Sequence, residues 1–314
     1  MNTISKYDLK KKTTVAVQLP GTECLIKPKV PLSNLTSLRV GGLAQWYVAP
    51  KNWQELEASL EWYQSQDLPL TVLGAGSNLL VSDRGIPGLT IGTRHLRYKK
   101  IDFERGTITV GAGEPLARLA WLAAKQGWRG LEWAVGIPGT VGGAVVMNAG
   151  AHGQCIADCL VETSVVSPQK MELESLDVTS LDYQYRSSIL QNDPRLVVEA
   201  TFQLEPGFSP TELTAIVAKN LQDRTSKQPY DRPSCGSVFR NPKPYAAGWL
   251  IEQIGLKGYQ IGGAIVSQRH ANFILNCGNA TADDILKIIH HIQEKVEDRW
   301  LVKLHPEVKL VGEF

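Results

Sequence analysis

The sequence predicts a mixed α+β protein in which short strands and amphipathic helices surround one glycine-rich segment. Three features carry that expectation. Residues 131–153 read LEWAVGIPGTVGGAVVMNAGAHG, and between Trp133 and Ala151 there are five glycines (Gly136, Gly139, Gly142, Gly143, Gly150) and no charged side chain. Residues 68–93 alternate apolar runs with glycine turns, as strands joined by tight loops do. Leu56, Leu60 and Tyr63, then Leu116, Leu119, Ala120 and Ala123, and finally Ile285, Ile288, Ile289, Ile292 and Val296 recur at helical spacing. The length of 314 residues sets an expectation of two or three domains, large enough to bury a core without staples.

Glycine lets the main chain take positive φ and approach a ligand closely. Successive N–H groups in such turns form a concave nest for phosphate oxygens, and the apolar residues between them suit a flat ring system. Two readings of 131–153 follow: a cradle for a cofactor with a diphosphate and an aromatic ring, or a tightly turned core segment with no ligand.

Composition narrows the classes. A net charge of +2 and a pI near 8.2 do not suggest nucleic acid or a membrane surface, and no apolar run is long enough to span a bilayer. The start, MNTISKYDLKKKTTV, has no apolar h-region. The five cysteines are scattered, and Cys155 with Cys159 lacks a second ligand pair, so no metal site is expected and reduced thiols in a cytoplasmic protein are the simplest reading.

Taken in order, residues 1–30 read as a loose arm with solvated Lys10, Lys11 and Lys12. Residues 44–48 read as a strand, and Asn52 with Glu55 opens a helix over 53–66. The loop Gly74-Ala75-Gly76-Ser77-Asn78 joins two strands; it lacks the third glycine and the helix of a Rossmann fingerprint, and it is either a phosphate-binding loop or a plain connection. Residues 99–113 form two strands about Arg105-Gly106, and a helix runs from 115 to 125 before Gly127. Strands follow at 160–166, 171–176 and 196–204, with Arg186 standing between Tyr185 and Ser187 as a surface residue, an ion-pair partner or a carboxylate clamp. Helices are expected at 210–223 and 246–254, a strand at 270–277, and a long helix after the Thr281/Asp284 capping pattern. The loop 231–244, which holds Cys235, Ser237, Arg240 and Asn241, is long enough to be functional.

The motifs NLTSLRVGG, LGAGSNLLVSD, GIPGTVGGAVVMNAGA, YRSS, CGSVFRNP, AGWLIEQIGLKG, ANFILN and HPEVKLVG occur in this order. Together they resemble the MurB family, the UDP-N-acetylenolpyruvoylglucosamine reductases (UDP-N-acetylmuramate dehydrogenases) of bacterial peptidoglycan synthesis, from about residue 30 to the C-terminus. The resemblance implies two FAD-binding subdomains of the vanillyl-alcohol-oxidase (PCMH) type, 31–98 and 99–205, and a C-terminal α+β substrate-binding domain, 206–314. The short run from Arg186 to Leu196 fits the compact variant without an inserted substrate-covering loop.

The resemblance also implies non-covalent FAD, NADPH as electron donor and a UDP-sugar substrate, with a monomer expected. It places FAD on Gly74, Ala75, Gly76, Ser77, Asn78, Gly136, Pro138, Gly139, Thr140, Gly142, Gly143 and Asn148. It makes Arg186, Ser237 and Glu307 catalytic, and Arg186, Arg240 and Asn241 substrate contacts. Hydride transfer to an enolpyruvyl ether leaves negative charge next to a carboxylate, which suits Arg186; one well-placed donor of this kind is worth about 2.7–4 kcal/mol. Glu307 can act there only when protonated or cation-paired. The remaining step needs a proton, assigned to Ser237. An alcohol or sugar oxidase of the same superfamily is the nearest alternative, although residues 74–78 contain no histidine to tether FAD. A sugar-nucleotide sensor that has lost its chemistry is another, and intact Arg186, Ser237 and Glu307 speak against it.

Overall fold

The computed structural model describes residues 15–314; Lys10, Lys11 and Lys12 lie outside them. Residues expected as a loose arm are, from Val17 onward, strands β1 (Val17–Gln18) and β2 (Leu25–Pro31). The polar string around Lys27 and Lys29 hides the signal, because only Ile26 of β2 is fully buried. β2 pairs antiparallel with β3 (Leu43–Val48), Lys27 opposite Tyr47 and Val30 opposite Ala44. Helix α1 (Trp53–Gln64) opens as expected: Asn52 Oδ1 accepts from the Glu55 N–H at 2.9 Å. β4 (Leu70–Leu73), β5 (Leu79–Val81) and β6 (Ile86–Gly92) follow. The first sheet has the order β1-β2-β3-β6-β4, with β3, β6 and β4 mutually parallel. α1 covers it through Leu56 and Leu60.

The hairpin of β7 (Lys99–Asp102) and β8 (Thr107–Gly111) begins the second module. It continues with α2 (Leu116–Lys125), α3 (Val141–Met147) and a short ribbon of β9 (Gly150–Ala151) and β10 (Gln154–Cys155). β11 (Leu160–Val166), β12 (Leu173–Asp177) and β13 (Leu196–Gln203) complete an antiparallel sheet ordered β12-β11-β13-β8-β7. α3 lies inside the glycine-rich segment, where the sequence suggested turns. Helix α4 (Pro210–Lys227), expected to open the substrate domain at residue 206, instead buries Leu213 and Val217 in the core of this second module beside α2.

A separate core joins Leu38, Val40 and Leu80 of the first module to residues from Cys235 onward. It is built from α5 (Ala247–Gln253), the three-stranded sheet of β14 (Gln260–Ile261), β15 (Ala264–Val266) and β16 (Ile274–Asn276), and α6 (Ala282–Trp300). The strand expected over 270–277 shrinks to β16, because Ser267 Oγ accepts from the N–H groups of Arg269 and His270 and turns the chain there. The final strand, β17 (Lys309–Val311), returns to pair parallel with β5 of the first module.

That return is reinforced at α6. Asp83, just after β5, accepts from the N–H groups of Ala282 (2.9 Å) and Asp283 (3.0 Å), while Thr281 Oγ1 accepts from Asp284 (3.0 Å). A carboxylate on a helix N-terminus satisfies orphan donors and complements the helix dipole. Asp83→Ala is therefore expected to lower stability by about 1–2 kcal/mol, read as a fall in the urea midpoint at unchanged slope.

Candidate active site

The two glycine loops meet. Ser77 Oγ donates to the Pro138 carbonyl at 2.9 Å, a Cβ on Gly74 would stand 2.8 Å from Thr140 Oγ1, and one on Gly139 would stand 3.0 Å from Ser77 Oγ. Gly76 (φ +65°) and Gly139 (φ +137°) take backbone conformations that side chains disfavour. Gly76 is further backed by the Leu35 carbonyl, and its own carbonyl accepts from Ser37 N–H at 3.0 Å, so the NLTS segment supports the loop from behind. Among the described residues, no carbonyl or side chain accepts from the N–H groups of Ala75, Gly76, Ser77, Asn78, Gly139 or Thr140. Thr140 Oγ1 is buried without any partner. Among the described residues nothing crowds Gly143: the nearest atom to a Cβ there would be Thr140 Oγ1, at 3.7 Å.

Two expected cofactor contacts have other work. Gly142 does not sit at positive φ; it lies in α3, where a Cβ would press on that of Ala112 at 2.9 Å, and its N–H donates to the Ala112 carbonyl. Its role is close packing of α3 on the segment after β8. Asn148 ends α3 at φ +43°, with Nδ2 on the Gln184 carbonyl (3.0 Å) and Oδ1 taking the Ala157 N–H (3.1 Å). It latches α3 to the Arg186 turn. Gly136 (φ +74°) faces α4, its carbonyl accepting from Tyr230 Oη.

The three expected catalytic residues come from distant stretches to one place. Gln184 and Ser187 exchange backbone hydrogen bonds across a tight turn, forcing Arg186 to φ +55°. Such a conformation costs a non-glycine residue about 1–3 kcal/mol and is found where surroundings fix it. Here the Arg186 carbonyl accepts from Gln191 Nε2 (2.8 Å) and Arg240 Nη2 (3.1 Å). Its guanidinium donates to the carbonyls of Asn148 and Gly150, and Nε stands 3.3 Å from Glu307 Oε1.

Glu307 lies on a short backbone ribbon with the Ser237 segment. Its N–H donates to the Val238 carbonyl at 2.7 Å, Arg240 N–H to the His305 carbonyl at 3.0 Å, and Phe239 bridges Pro306. Asn78 Nδ2, from the first glycine loop, donates to the Glu307 carbonyl at 3.1 Å. Ser237 itself is half-buried, and among the described residues its hydroxyl has no hydrogen-bond partner. Arg240 Nε is buried and unpartnered. Asn241 is exposed and holds the start of α5, its Oδ1 accepting from Ala247 N–H at 3.0 Å.

The sequence reading quoted ANFILN without assigning Asn272 a part. Asn272 is buried, and its amide grips the main chain of Phe239 in both directions: Oδ1 accepts from N–H at 2.9 Å and Nδ2 donates to the carbonyl at 2.8 Å. Its own carbonyl accepts from Val238 N–H. It thereby substitutes for a neighbouring strand and fixes the segment carrying Ser237. Only an asparagine or glutamine inside an apolar run could have hinted at this.

Burial raises the Glu307 carboxyl above its ordinary range, opposed by the nearby charges of Arg186 and Arg240. Burial lowers the Lys309 ammonium, with Arg240 adding to the effect. Arg186 and Arg240 thus set two positive charges against one carboxyl.

The loops fit a flavin dinucleotide. Free N–H groups and an orphaned hydroxyl suit phosphate oxygens, and the glycines leave room where side chains would stand. Together with an Arg–Glu pair and a free serine, this fold and site define a flavin-binding oxidoreductase. A profile described as the FAD binding domain matches residues 44–171, and one described as the C-terminal domain of UDP-N-acetylenolpyruvoylglucosamine reductase matches residues 228–311. The chain is 60% identical over 298 residues to UDP-N-acetylenolpyruvoylglucosamine reductase of Trichormus variabilis, covering 95% of this chain and 90% of the relative. It is 57% identical over 303 residues to that of Synechocystis, covering 96% and 95%. The crystal structure of the Thermus caldophilus enzyme superposes with a TM-score of 0.78 at 33% identity, over 92% of this chain and 100% of that one. The chain belongs to the UDP-N-acetylenolpyruvoylglucosamine reductase (MurB) family of FAD-dependent oxidoreductases. The expected pairing of an FAD-binding module with a family-specific C-terminal domain is borne out.

Thr140→Val should separate cofactor from fold. Removing an unpartnered buried hydroxyl should leave apoprotein stability unchanged or higher, while FAD binds about 2–10-fold more weakly through loss of one hydrogen bond. Thermal melts and flavin titration of the apoprotein read the two effects. For Glu307, the raised native value means that its stabilisation is complete below the ordinary carboxyl range and is lost as pH rises through the native value. The stability of the wild type relative to Glu307→Gln is therefore expected to fall as pH climbs from about 4, measured by thermal melts of both proteins across pH.

Proposed function

We propose that this protein reduces UDP-N-acetylglucosamine-enolpyruvate to UDP-N-acetylmuramate for peptidoglycan synthesis, with NADPH as electron donor. The observation that carries the reading is the convergence of Arg186, Glu307 and the Ser237 segment beside the two glycine loops. Bound FAD, reduced by NADPH, supplies the hydride that adds to the terminal methylene carbon of the enolpyruvyl group. The chain's own residues manage the charge and the proton.

Arg186, held by its strained turn and by two carbonyls, places fixed positive charge where the enolate and carboxylate develop. Such preorganised charge needs no rearrangement as the reaction proceeds. Glu307, cation-paired and with its proton affinity raised by burial, presents no bare carboxylate to that anion. Ser237 gives its proton to the ether-bearing carbon and is reprotonated from water. The serine alkoxide left behind is costly, and the positive field of Arg186 and Arg240 makes it accessible. Arg240 and Asn241 border the same segment, where the substrate's nucleotide portion would lie. NADPH and the sugar nucleotide take turns at one site. The described residues contain no helix long and apolar enough to cross a membrane, and we place the protein in the cytoplasm as a monomer.

The purified protein should be yellow, and denaturation should release all the colour, since FAD is held without a covalent bond. Ser237→Ala should leave FAD binding and reduction by NADPH nearly intact while slowing reoxidation by the enolpyruvyl substrate by about 10²–10⁴-fold, as expected for a lost general acid. Ser237→Cys should retain measurable activity, a thiol being the stronger acid. Stopped-flow absorbance of both half-reactions decides. Equal slowing of the two would assign Ser237 to flavin positioning instead.

A further inference from the structure

We propose that Tyr230 is a positioning residue for this reaction: its hydroxyl holds the chain that carries Ser237 in register with the flavin-binding loop at Gly136. The proposal rests on the assignment of Ser237 above. Tyr230 is 48% exposed, a setting in which water ordinarily serves a phenol hydroxyl. Instead Oη donates to the Gly136 carbonyl at 2.8 Å and accepts from Arg224 Nε at 2.8 Å. The contact has little slack, since a Cβ on Gly136 would stand 2.8 Å from Arg224 Cδ.

Its place in the chain gives the contact meaning. α4 packs Leu213 and Val217 into the second module's core, and the chain next enters a core at Cys235, so residues 228–234 carry it across. Other side-chain tethers of this crossing fasten it to the C-terminal domain: Arg269 Nη1 donates to the Gln228 carbonyl (3.3 Å) and Arg232 Nη1 to Cys277 Sγ (2.9 Å). Asn276 N–H likewise donates to the Pro233 carbonyl at 2.9 Å. Among the described residues, Tyr230 supplies the one side chain of 228–234 that hydrogen-bonds to residues 131–143. The hydride donor sits with the glycine loops and the proton donor with the C-terminal domain, so their separation depends on such a link. Displacement of reacting groups by about 1 Å can cost on the order of 10²-fold in rate.

Tyr230→Phe keeps the ring and removes only the hydroxyl from an exposed position. FAD affinity, the thermal midpoint and NADPH reduction should stay within about threefold or a few degrees of wild type. Reoxidation by the enolpyruvyl substrate should slow about 10–100-fold. Amide hydrogen exchange should rise together in residues 133–140 and 231–238 but not in 74–78. An unchanged oxidative rate, or both half-reactions slowed by the same factor, overturns the proposal. Ser237→Ala measured alongside separates the two ideas. If it slows reoxidation and Tyr230→Phe does not, only the Tyr230 assignment falls. If Ser237→Ala has no effect, the reading of the site falls, and the exchange data alone decide whether Tyr230 couples the segments: coupled rises support it and unchanged exchange refutes it.

Discussion

A largely buried carboxyl where three modules meet needs either a proton or positive charge beside it, and this requirement on Glu307 organises much of the structure. An isolated buried carboxylate is strongly disfavoured, whereas one flanked by cations can persist. Arg186 comes from the second module and Arg240 from the loop opening the third core, both drawn to a residue near the C-terminus. The first module contributes through Asn78, whose side chain holds the Glu307 carbonyl. A misplaced module would leave the carboxyl without a counter-charge, so the pair depends on correct assembly.

The polar groups that build the site are mostly spent on backbone. Asn272 imitates a missing strand for Phe239, Asn148 joins α3 to the Arg186 turn, and Asn276 Nδ2 donates to the Leu38 carbonyl at 3.0 Å across the module boundary. Loops cannot satisfy their own main-chain groups, so amide side chains do it for them. Around the site, this frame leaves several groups without a partner among the described residues: N–H groups of the two glycine loops, the Thr140 and Ser237 hydroxyls, and Arg240 Nε. Groups left over in an otherwise satisfied frame are the ones available to ligands.

The two glycine loops and the helix beside them show how one residue type answers different demands. Gly76 and Gly139 are required by positive φ, whereas Gly142 is required by the nearness of Ala112 to α3. A sequence displays the glycines without saying which demand each meets, because close packing involves a partner distant in the chain. The same limit hid α3, since adjacent glycines argue against a helix until tertiary contacts stabilise one.

The sequence by itself determined the helices with clear apolar periodicity, the Asn52 and Thr281 caps, the hairpin about Gly106, and, through its ordered motifs, the family. These are signals written locally, in spacing and in residue chemistry. Tertiary structure alone decided that β2 joins the first sheet, that α4 packs with the second module, and that β17 returns to β5. It also decided that Glu307 stands against Arg186, that Asn148 and Gly142 serve the frame, and that Asn272 fixes the Ser237 segment. Each of these depends on burial or hydrogen bonding between residues far apart in the chain, and no local pattern encodes such a partner.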